Sequence, residues 1–259
     1  VSDRSNWWNL ERYNPTTNSR EKVHSMEAEF ATPQWVFGMS TYSFLDRFSL
    51  FCCYTQNGRW YGATINLLTN HFEALNLPYS SMRSIHANDT TASAIFIASD
   101  YNQLDNIVQW HDHQLQTIRT SGELAIAASE FSKPIAKSFT NNKTQEVHSF
   151  YYAPYNSQYT APQESKPPLL VMCHGGPTGA TSSALNLKIQ YWTSRGFAVV
   201  DINYRGSTGF GRTYRQALGG AWGLADVEDT QNAVHYLAQQ KKIDAQRCLI
   251  PVVYNHLRT

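Results

Sequence analysis

The stretch that decides the fold is Leu169-Leu170-Val171-Met172-Cys173-His174-Gly175-Gly176-Pro177. Its leading apolar residues form a continuous hydrophobic run, which is typical of a strand buried on both faces of a parallel sheet. The two glycines that follow can adopt backbone conformations closed to other residues, so the chain can turn sharply where the strand ends. We therefore predict a buried parallel strand that ends in a tight glycine turn.

The sequence around this stretch alternates between strand and helix patterns. Strands that alternate with helices at these lengths form right-handed βαβ units and a parallel sheet. The predicted elements are strands at 135–139 and 147–152, a helix over 185–195 with Gly196 as its left-handed cap, a strand over 197–203, an amphipathic helix over 226–240 and a strand that begins at Cys248.

A glycine turn after a parallel strand can aim backbone N–H groups at an oxyanion, as the equivalent turn does in α/β-hydrolases. We predict this role for Gly175 and Gly176, with the Gly176 N–H as the donor; the alternative is a purely structural turn. The other half of such a site, a Gly-x-Ser-x-Gly turn, would start near Ile250. The chain there reads Pro251-Val252-Val253-Tyr254-Asn255-His256, and no glycine or serine is among these residues.

The first part of the chain carries a different, repeated pattern of paired strands. Similar strand segments that end in polar turns recur at 8–14, 60–66 and 106–111, and Asn57-Gly58 is a strong hairpin signal. Strand pairs repeating at roughly 40–50 residues are typical of propeller blades. We predict a partial β-propeller of about two blades and a fraction over residues 1–133, followed by an incomplete α/β-hydrolase domain over 134–259. The alternative for the first domain is an irregular β-sandwich.

Composition excludes several classes of function. The 21 basic and 20 acidic residues leave a net charge of +1, so neither a nucleic acid nor a membrane surface is an expected partner. No apolar run approaches the ~20 residues of a membrane span. The four cysteines form no Cys-x-x-Cys pair, which favours buried thiols in a reducing, cytoplasmic compartment over disulfides or metal ligands. We expect no metal and no other cofactor.

Four blocks of sequence, in this order and behind propeller-like blades, resemble the prolyl oligopeptidase family of serine peptidases. Within that family the chain is most similar to the bacterial acylaminoacyl-peptidase and dipeptidyl-aminopeptidase-like branch. The blocks are Pro168 to Gly179, Gln190 to Val200, Asn203-Tyr204-Arg205-Gly206-Ser207-Thr208-Gly209-Phe210-Gly211, and Trp222-Gly223 with Asp226 to Asp229.

The resemblance implies a catalytic serine on the glycine-flanked turn, a histidine base and an aspartate that orients the base. By register, Tyr254 occupies the serine's position, and the aspartate and histidine come later in the family's chain order. We therefore expect this chain to be truncated before its nucleophile and inactive alone. The parent enzyme is expected to hydrolyse short peptides, as an aminopeptidase or an oligopeptidase, while the propeller restricts access.

Four further residues are weaker candidates for substrate binding. Tyr204 and Arg205 end a strand where α/β sheets place their sites, although a structural hydrogen-bonding role is the alternative. Glu27 and Glu29 lie on a propeller segment, and in aminopeptidases of the family acidic propeller residues hold the substrate's free amine. Their alternative is a solvated surface.

Two other functions remain open at this point. One is a non-catalytic, propeller-containing remnant that binds peptides or a partner protein. The other is a carboxylesterase, since esterases also use His-Gly-Gly turns; propeller blades argue against it.

Overall fold

The computed structural model describes residues 1–141, 144–176 and 178–250, and the chain divides into two compact units. Unit 1 consists of Val1–Leu124, Ser182–Leu185 and Thr208–Thr213. Unit 2 consists of Ala125–Thr181, Asn186–Ser207 and Tyr214–Thr259. The first break between the units therefore follows Leu124. The domain boundary at residue 133 stays a prediction.

Unit 1 is built from antiparallel strands in separate sheets. A two-stranded hairpin is followed along the chain by two four-stranded sheets, and no sheet closes on itself within the described residues. The hairpin pairs β1 (Glu11–Asn14) with β2 (Ser19–Lys22). The first four-stranded sheet contains β3 (Tyr42–Phe44), β4 (Ser49–Gln56), β5 (Arg59–Asn66) and β6 (His71–Leu75). The second contains β7 (Ser81–Asn88), β8 (Ser93–Asp100), β9 (Gln103–His111) and β10 (Gln114–Thr120).

The hairpin predicted at Asn57-Gly58 is confirmed. Gln56 pairs with Arg59, and the two turn residues between them have φ values of +53° and +77°. Positive φ at both central residues defines a type I′ turn, whose twist matches that of the flanking strands. The two four-stranded sheets share a hydrophobic core, in which Phe51 of β4 stacks on Phe96 of β8 at 5.2 Å.

Unit 2 contains one mixed five-stranded sheet, in the order β11-β12-β14-β13-β15. Strand β13 runs parallel to both β14 and β15, as predicted, while β12 joins β14 antiparallel. The strands are β11 (Ile135–Thr140), β12 (Glu146–Tyr152), β13 (Leu169–Cys173), β14 (Ala198–Asn203) and β15 (Cys248–Leu249).

Three α-helices occur among the described residues, and none is long and apolar enough to cross a bilayer. They are α1 (Leu187–Thr193), α2 (Gly211–Gln216) and α3 (Ala225–Gln239), and a short 3₁₀ turn spans Ala128–Glu130. The helix expected over 185–195 begins later because the Asn186 side chain caps it by accepting from the Lys188 and Ile189 N–H groups. Gly196, at φ +86°, is the left-handed residue expected after it.

Candidate active site

The glycine turn lies directly after the carboxyl end of β13. Gly176 has φ +73°, a conformation that side-chain-bearing residues rarely adopt, and open space surrounds the position a Cβ would take. Both Gly175 and Gly176 are exposed. The sequence-predicted turn is therefore present at the edge of the sheet where parallel α/β sheets place their sites.

Tyr204, which directly follows β14, supports this turn through its side chain. Its hydroxyl oxygen lies 2.8 Å from the carbonyl oxygen of Gly176 and 3.1 Å from that of His174, so its one hydrogen is shared between two acceptors. Its ring stacks on the His174 imidazole at 4.4 Å between centroids. Burial raises the pKa of Tyr204, which keeps the hydroxyl protonated as a donor.

His174 lies under the turn as a hydrogen-bonding residue. Its Nε2 is 2.7 Å from the Ser207 hydroxyl, and that hydroxyl donates to the Tyr204 carbonyl oxygen. Because a serine has one hydroxyl hydrogen, Nε2 must carry the proton of the His174–Ser207 bond. Burial lowers the pKa of His174, which favours the neutral ring. The imidazole is thus committed to its bond with Ser207 and to its stack on the Tyr204 ring.

These contacts set the direction of the turn's N–H groups. In a trans peptide the C=O and N–H point in opposite directions, and no cis peptide bond occurs among the described residues. Holding the His174 carbonyl toward Tyr204 therefore turns the Gly175 N–H away from that tyrosine. The Gly175 carbonyl lies 3.3 Å from His174 Nδ1, so the Gly176 N–H points away from the imidazole. Two adjacent N–H groups thus face away from Tyr204 and His174.

Gly179 closes the loop against the same imidazole. A Cβ at this position would lie 3.0 Å from His174 Nδ1 and 3.1 Å from the Gly175 carbonyl oxygen, closer than ordinary contact. Only glycine fits here without displacing the turn.

The chain beyond the turn is anchored to β14 by a pair of polar side chains that sequence reasoning missed. Asn203 Oδ1 accepts from the Thr181 N–H at 2.8 Å, and the Thr181 hydroxyl donates to the Asp201 carboxylate. Burial raises the pKa of Asp201 to about 6. The available signal was an aspartate inside the apolar run 197–203, because a buried carboxylate requires a partner.

Arg205 belongs to a buried ion network. Its Nε lies 2.9 Å from the Asp229 carboxylate and its Nη2 lies 2.6 Å from that of Glu228. Its Nη1 donates to Gln145 Oε1 at 2.9 Å, and its own N–H donates to Asp229 at 2.8 Å. These contacts favour a structural hydrogen-bonding role for Arg205. The contacts of Tyr204 with the turn favour a structural role for that residue as well. Substrate binding by either residue stays a prediction.

The two candidate glutamates of unit 1 have different surroundings. Glu27 is exposed, and its carbonyl oxygen accepts from Gln56 Nε2. Glu29 is 0% exposed, and its carboxylate accepts from the Gly209 N–H at 2.5 Å. Its backbone pairs with that of Thr55. The solvated-surface alternative is therefore wrong for Glu29, whereas amine binding by Glu27 or Glu29 stays a prediction.

Tyr254 and the rest of 251–259 lie outside the described residues. Across 1–141, 144–176 and 178–250, no three His, Cys, Asp or Glu side chains converge as metal ligands. Cys52 and Cys53 are buried in the core of unit 1, and burial raises the pKa of both thiols.

Comparison with known proteins gives matches in sequence and in structure. Residues 183–251 match the model of the prolyl oligopeptidase family. The chain is 42% identical to the acylamino-acid-releasing enzyme of Mus musculus over 87 residues, which are 34% of this chain and 12% of that enzyme. It is 25% identical to acylamino-acid-releasing enzyme 1 of Oryza sativa subsp. japonica over 182 residues, or 69% of this chain and 24% of that enzyme.

The structural match extends over almost the whole chain. The structure of a puromycin-hydrolyzing peptidase from Mycobacterium tuberculosis superposes with a TM-score of 0.91 at 30% identity. The match covers 96% of this chain and 39% of that one. The chain thus spans well under half the length of these relatives.

The mixed sheet, the parallel strand β13 and the glycine turn at its carboxyl end define an α/β protein with a hydrolase-like turn. Residues 183–251 match the prolyl oligopeptidase family, and the structural similarity to a puromycin hydrolase extends over 96% of the chain.

Proposed function

We propose that this chain is part of a serine-type peptidase that hydrolyses short peptides, and that it contributes the oxyanion-binding turn at Gly175-Gly176. The observation that carries the proposal is the arrangement of this turn. Its carbonyl groups face Tyr204 and His174, while its N–H groups point the other way.

The chemistry of acyl transfer accounts for this arrangement. Attack on a peptide carbonyl converts its oxygen into an oxyanion, and donors already in position stabilise that charge without reorganisation. The hydroxyl of Tyr204, which lies within hydrogen-bond distance of the His174 and Gly176 carbonyl oxygens, keeps these peptide planes of the turn from rotating. Removing one oxyanion donor from a serine peptidase slows catalysis by about 10²–10³-fold. A residue that only positions the donor should have a smaller effect.

The remaining catalytic groups are proposed to lie outside the described residues. By the family's register, Tyr254 occupies the nucleophile position, and the aspartate and histidine would follow it. A tyrosine in a stretch of sequence without glycine does not replace an activated serine, since a phenol has an ordinary pKa near 10. We therefore propose that the 259-residue chain has no peptidase activity by itself.

Unit 1 is proposed to be part of a β-propeller that limits substrates to short peptides. Its two four-stranded antiparallel sheets follow one another along the chain, as blades do. Strands β5 and β9, which carry the repeat in the sequence, are each the third strand of their sheet. The similarity to a puromycin-hydrolyzing peptidase across 96% of the chain supports this assignment.

The names of the relatives narrow the proposed substrates. One relative is named for releasing acylamino acids, and another for hydrolysing puromycin, which is an aminoacyl amide. We propose short peptides or aminoacyl amides as substrates of the complete enzyme. If the free amine of such a substrate is bound by unit 1, Glu27 presents the exposed carboxylate of the two candidates.

The proposal is tested by restoring the missing catalytic groups. Residues 1–250 are joined to the corresponding C-terminal segment of the Mycobacterium tuberculosis peptidase. The hybrid should react with a fluorophosphonate and cleave an aminoacyl p-nitroanilide, whereas the 259-residue chain should do neither. In the hybrid, Tyr204→Phe removes the hydroxyl under the turn and should lower kcat by about 10-fold, with little change in KM, because transition-state stabilisation is lost.

Tyr214→Phe is the matched control, because the Tyr214 hydroxyl also donates to a backbone carbonyl, but to that of Asn203 in β14 at 2.6 Å rather than to one of the turn. Equal kcat losses in the two variants would contradict the positioning role of Tyr204. Labelling of the 259-residue chain itself would contradict its expected inactivity. A hybrid that cleaves p-nitrophenyl acetate but no p-nitroanilide would point to an esterase.

A further inference from the structure

A cavity lies in unit 2 at the amino end of β13, beside Pro167 and Pro168. Its volume is about 910 Å³, comparable with pockets that hold small organic ligands. The glycine turn follows the carboxyl end of the same strand. The strand has five residues, each rising roughly 3.3 Å, so about 16 Å separate the cavity from the turn.

The lining of this cavity is strongly basic. Four cationic side chains contribute to it, and no acidic side chain is among the described residues that line it. They are Lys166, Arg195, Lys242 and Arg247. The neighbouring Asp244 carboxylate is bonded to Arg247 at 2.7 Å, so it offsets only part of this charge. The whole chain has a net charge of +1, which makes this concentration of positive charge a local feature.

Both guanidinium groups are held in place by the protein. Arg195 stacks over the Tyr191 ring at 3.7 Å and donates from Nη1 to the Tyr191 carbonyl oxygen. Arg247 donates from Nη2 to the Lys166 carbonyl oxygen at 2.7 Å. Side chains that are already ordered lose little conformational entropy when a ligand binds, so less of the free energy of binding is offset by that loss.

The rest of the lining is aromatic and apolar. Tyr151 is buried, with its hydroxyl donating to the Lys242 carbonyl oxygen, while Tyr155 and Tyr159 present exposed rings. Tyr159 is 76% exposed, an unusual position for an aromatic ring with nothing to cover it. An aromatic surface beside fixed cations matches a ligand with an apolar body and an anionic group. We propose that this cavity binds an organic anion of that kind, such as an aromatic carboxylate.

The test uses isothermal titration calorimetry on the whole chain, with 1-naphthoate as the anionic probe and 1-naphthamide as its neutral counterpart. The double variant Lys166→Gln/Lys242→Gln should bind 1-naphthoate at least 10-fold more weakly and leave 1-naphthamide unaffected. Tyr159→Ala should weaken both probes, because it removes part of the apolar surface.

The matched control is Lys137→Gln/Lys188→Gln, which removes two lysines of unit 2 that do not line the cavity. It should bind 1-naphthoate like the parent chain, and far-UV circular dichroism should show all variants folded. The proposal is overturned if the parent chain does not bind 1-naphthoate, or if the two double variants lose affinity equally.

Discussion

Asp201 shows how a single buried group links the pH to the stability of this protein. It lies in β14 between apolar neighbours, and its carboxylate accepts from the Thr181 hydroxyl. Burial disfavours the charged form, which is why its pKa rises to about 6. The folded state therefore binds a proton more tightly than the unfolded chain, in which an aspartate has its ordinary pKa near 4.

The first prediction follows from the sign of this shift. Because the folded state holds the extra proton, Asp201 stabilises the fold at low pH, and this contribution is lost as the pH rises from about 4 through 6. The loss should amount to about 3 kcal/mol. Asp201→Asn should flatten the dependence of the free energy of unfolding on pH in that window, as measured by urea titrations from pH 4 to 7.

Asp89→Asn provides the control, since it removes one exposed carboxylate from a turn of unit 1. Its pH dependence should follow that of the parent chain. If Asp201→Asn keeps the parent slope between pH 4 and 6, Asp201 does not titrate as the structure indicates.

At the scale of elements, the cap of α1 gives a second prediction. The Asn186 side chain accepts from two N–H groups at the start of this seven-residue helix. Asn186→Ala should lower the free energy of unfolding by about 1 kcal/mol, because those donors lose their acceptor. Asn186→Asp, which preserves an acceptor, should stay near the parent value in the same thermal or urea titration. Equal losses in both variants would show that capping is not the cause.

Local patterns predicted most elements but not their partners. The Asn57-Gly58 hairpin, the buried strand β13 and the amphipathic helix α3 follow from neighbouring residues, and all three are present. The six-residue helix α2 was missed because it begins at a glycine and is too short for a clear period. The antiparallel pairing of β12 with β14 joins segments about 50 residues apart, and no local pattern indicates such a contact.

The same limit applies to the candidate site. The Gly175-Gly176 turn could be predicted because strand and glycines are adjacent in sequence. The hydroxyl of Tyr204 reaches the turn only after β13 and β14 pair. The bond between Asp201 and Thr181 likewise forms only in the folded chain. The residue types indicated a role for Tyr204 and Arg205. Only the tertiary contacts show that Tyr204 supports the turn, whereas Arg205 belongs to an internal ion network.

At the scale of the whole molecule, the sheet of unit 2 ends at β15 among the described residues. Leu249 is 53% exposed and Ile250 is 61% exposed. An apolar strand at a sheet edge invites pairing with a second chain. We expect concentration-dependent self-association, which Leu249→Lys should weaken several-fold in sedimentation velocity experiments.

Leu68→Lys is the appropriate comparison, because it introduces the same charge at an exposed leucine in a turn of unit 1. It should associate like the parent chain. If self-association decreases equally in both variants, the effect is due to net charge alone and does not originate at the edge strand.

Unit 1 is built from three separate segments of the chain, so genetic recombination between these segments would divide it. A crossover after Leu124 would place Glu29 in a new protein without Gly209, whose N–H donates to its buried carboxylate. It would also separate Asn6 from Arg212 and Thr213, which donate to it. Depriving a buried carboxylate of a donor costs several kcal/mol. Residues 1–124 and 208–213 are therefore expected to be inherited together, so unit 1 is not a freely exchangeable module.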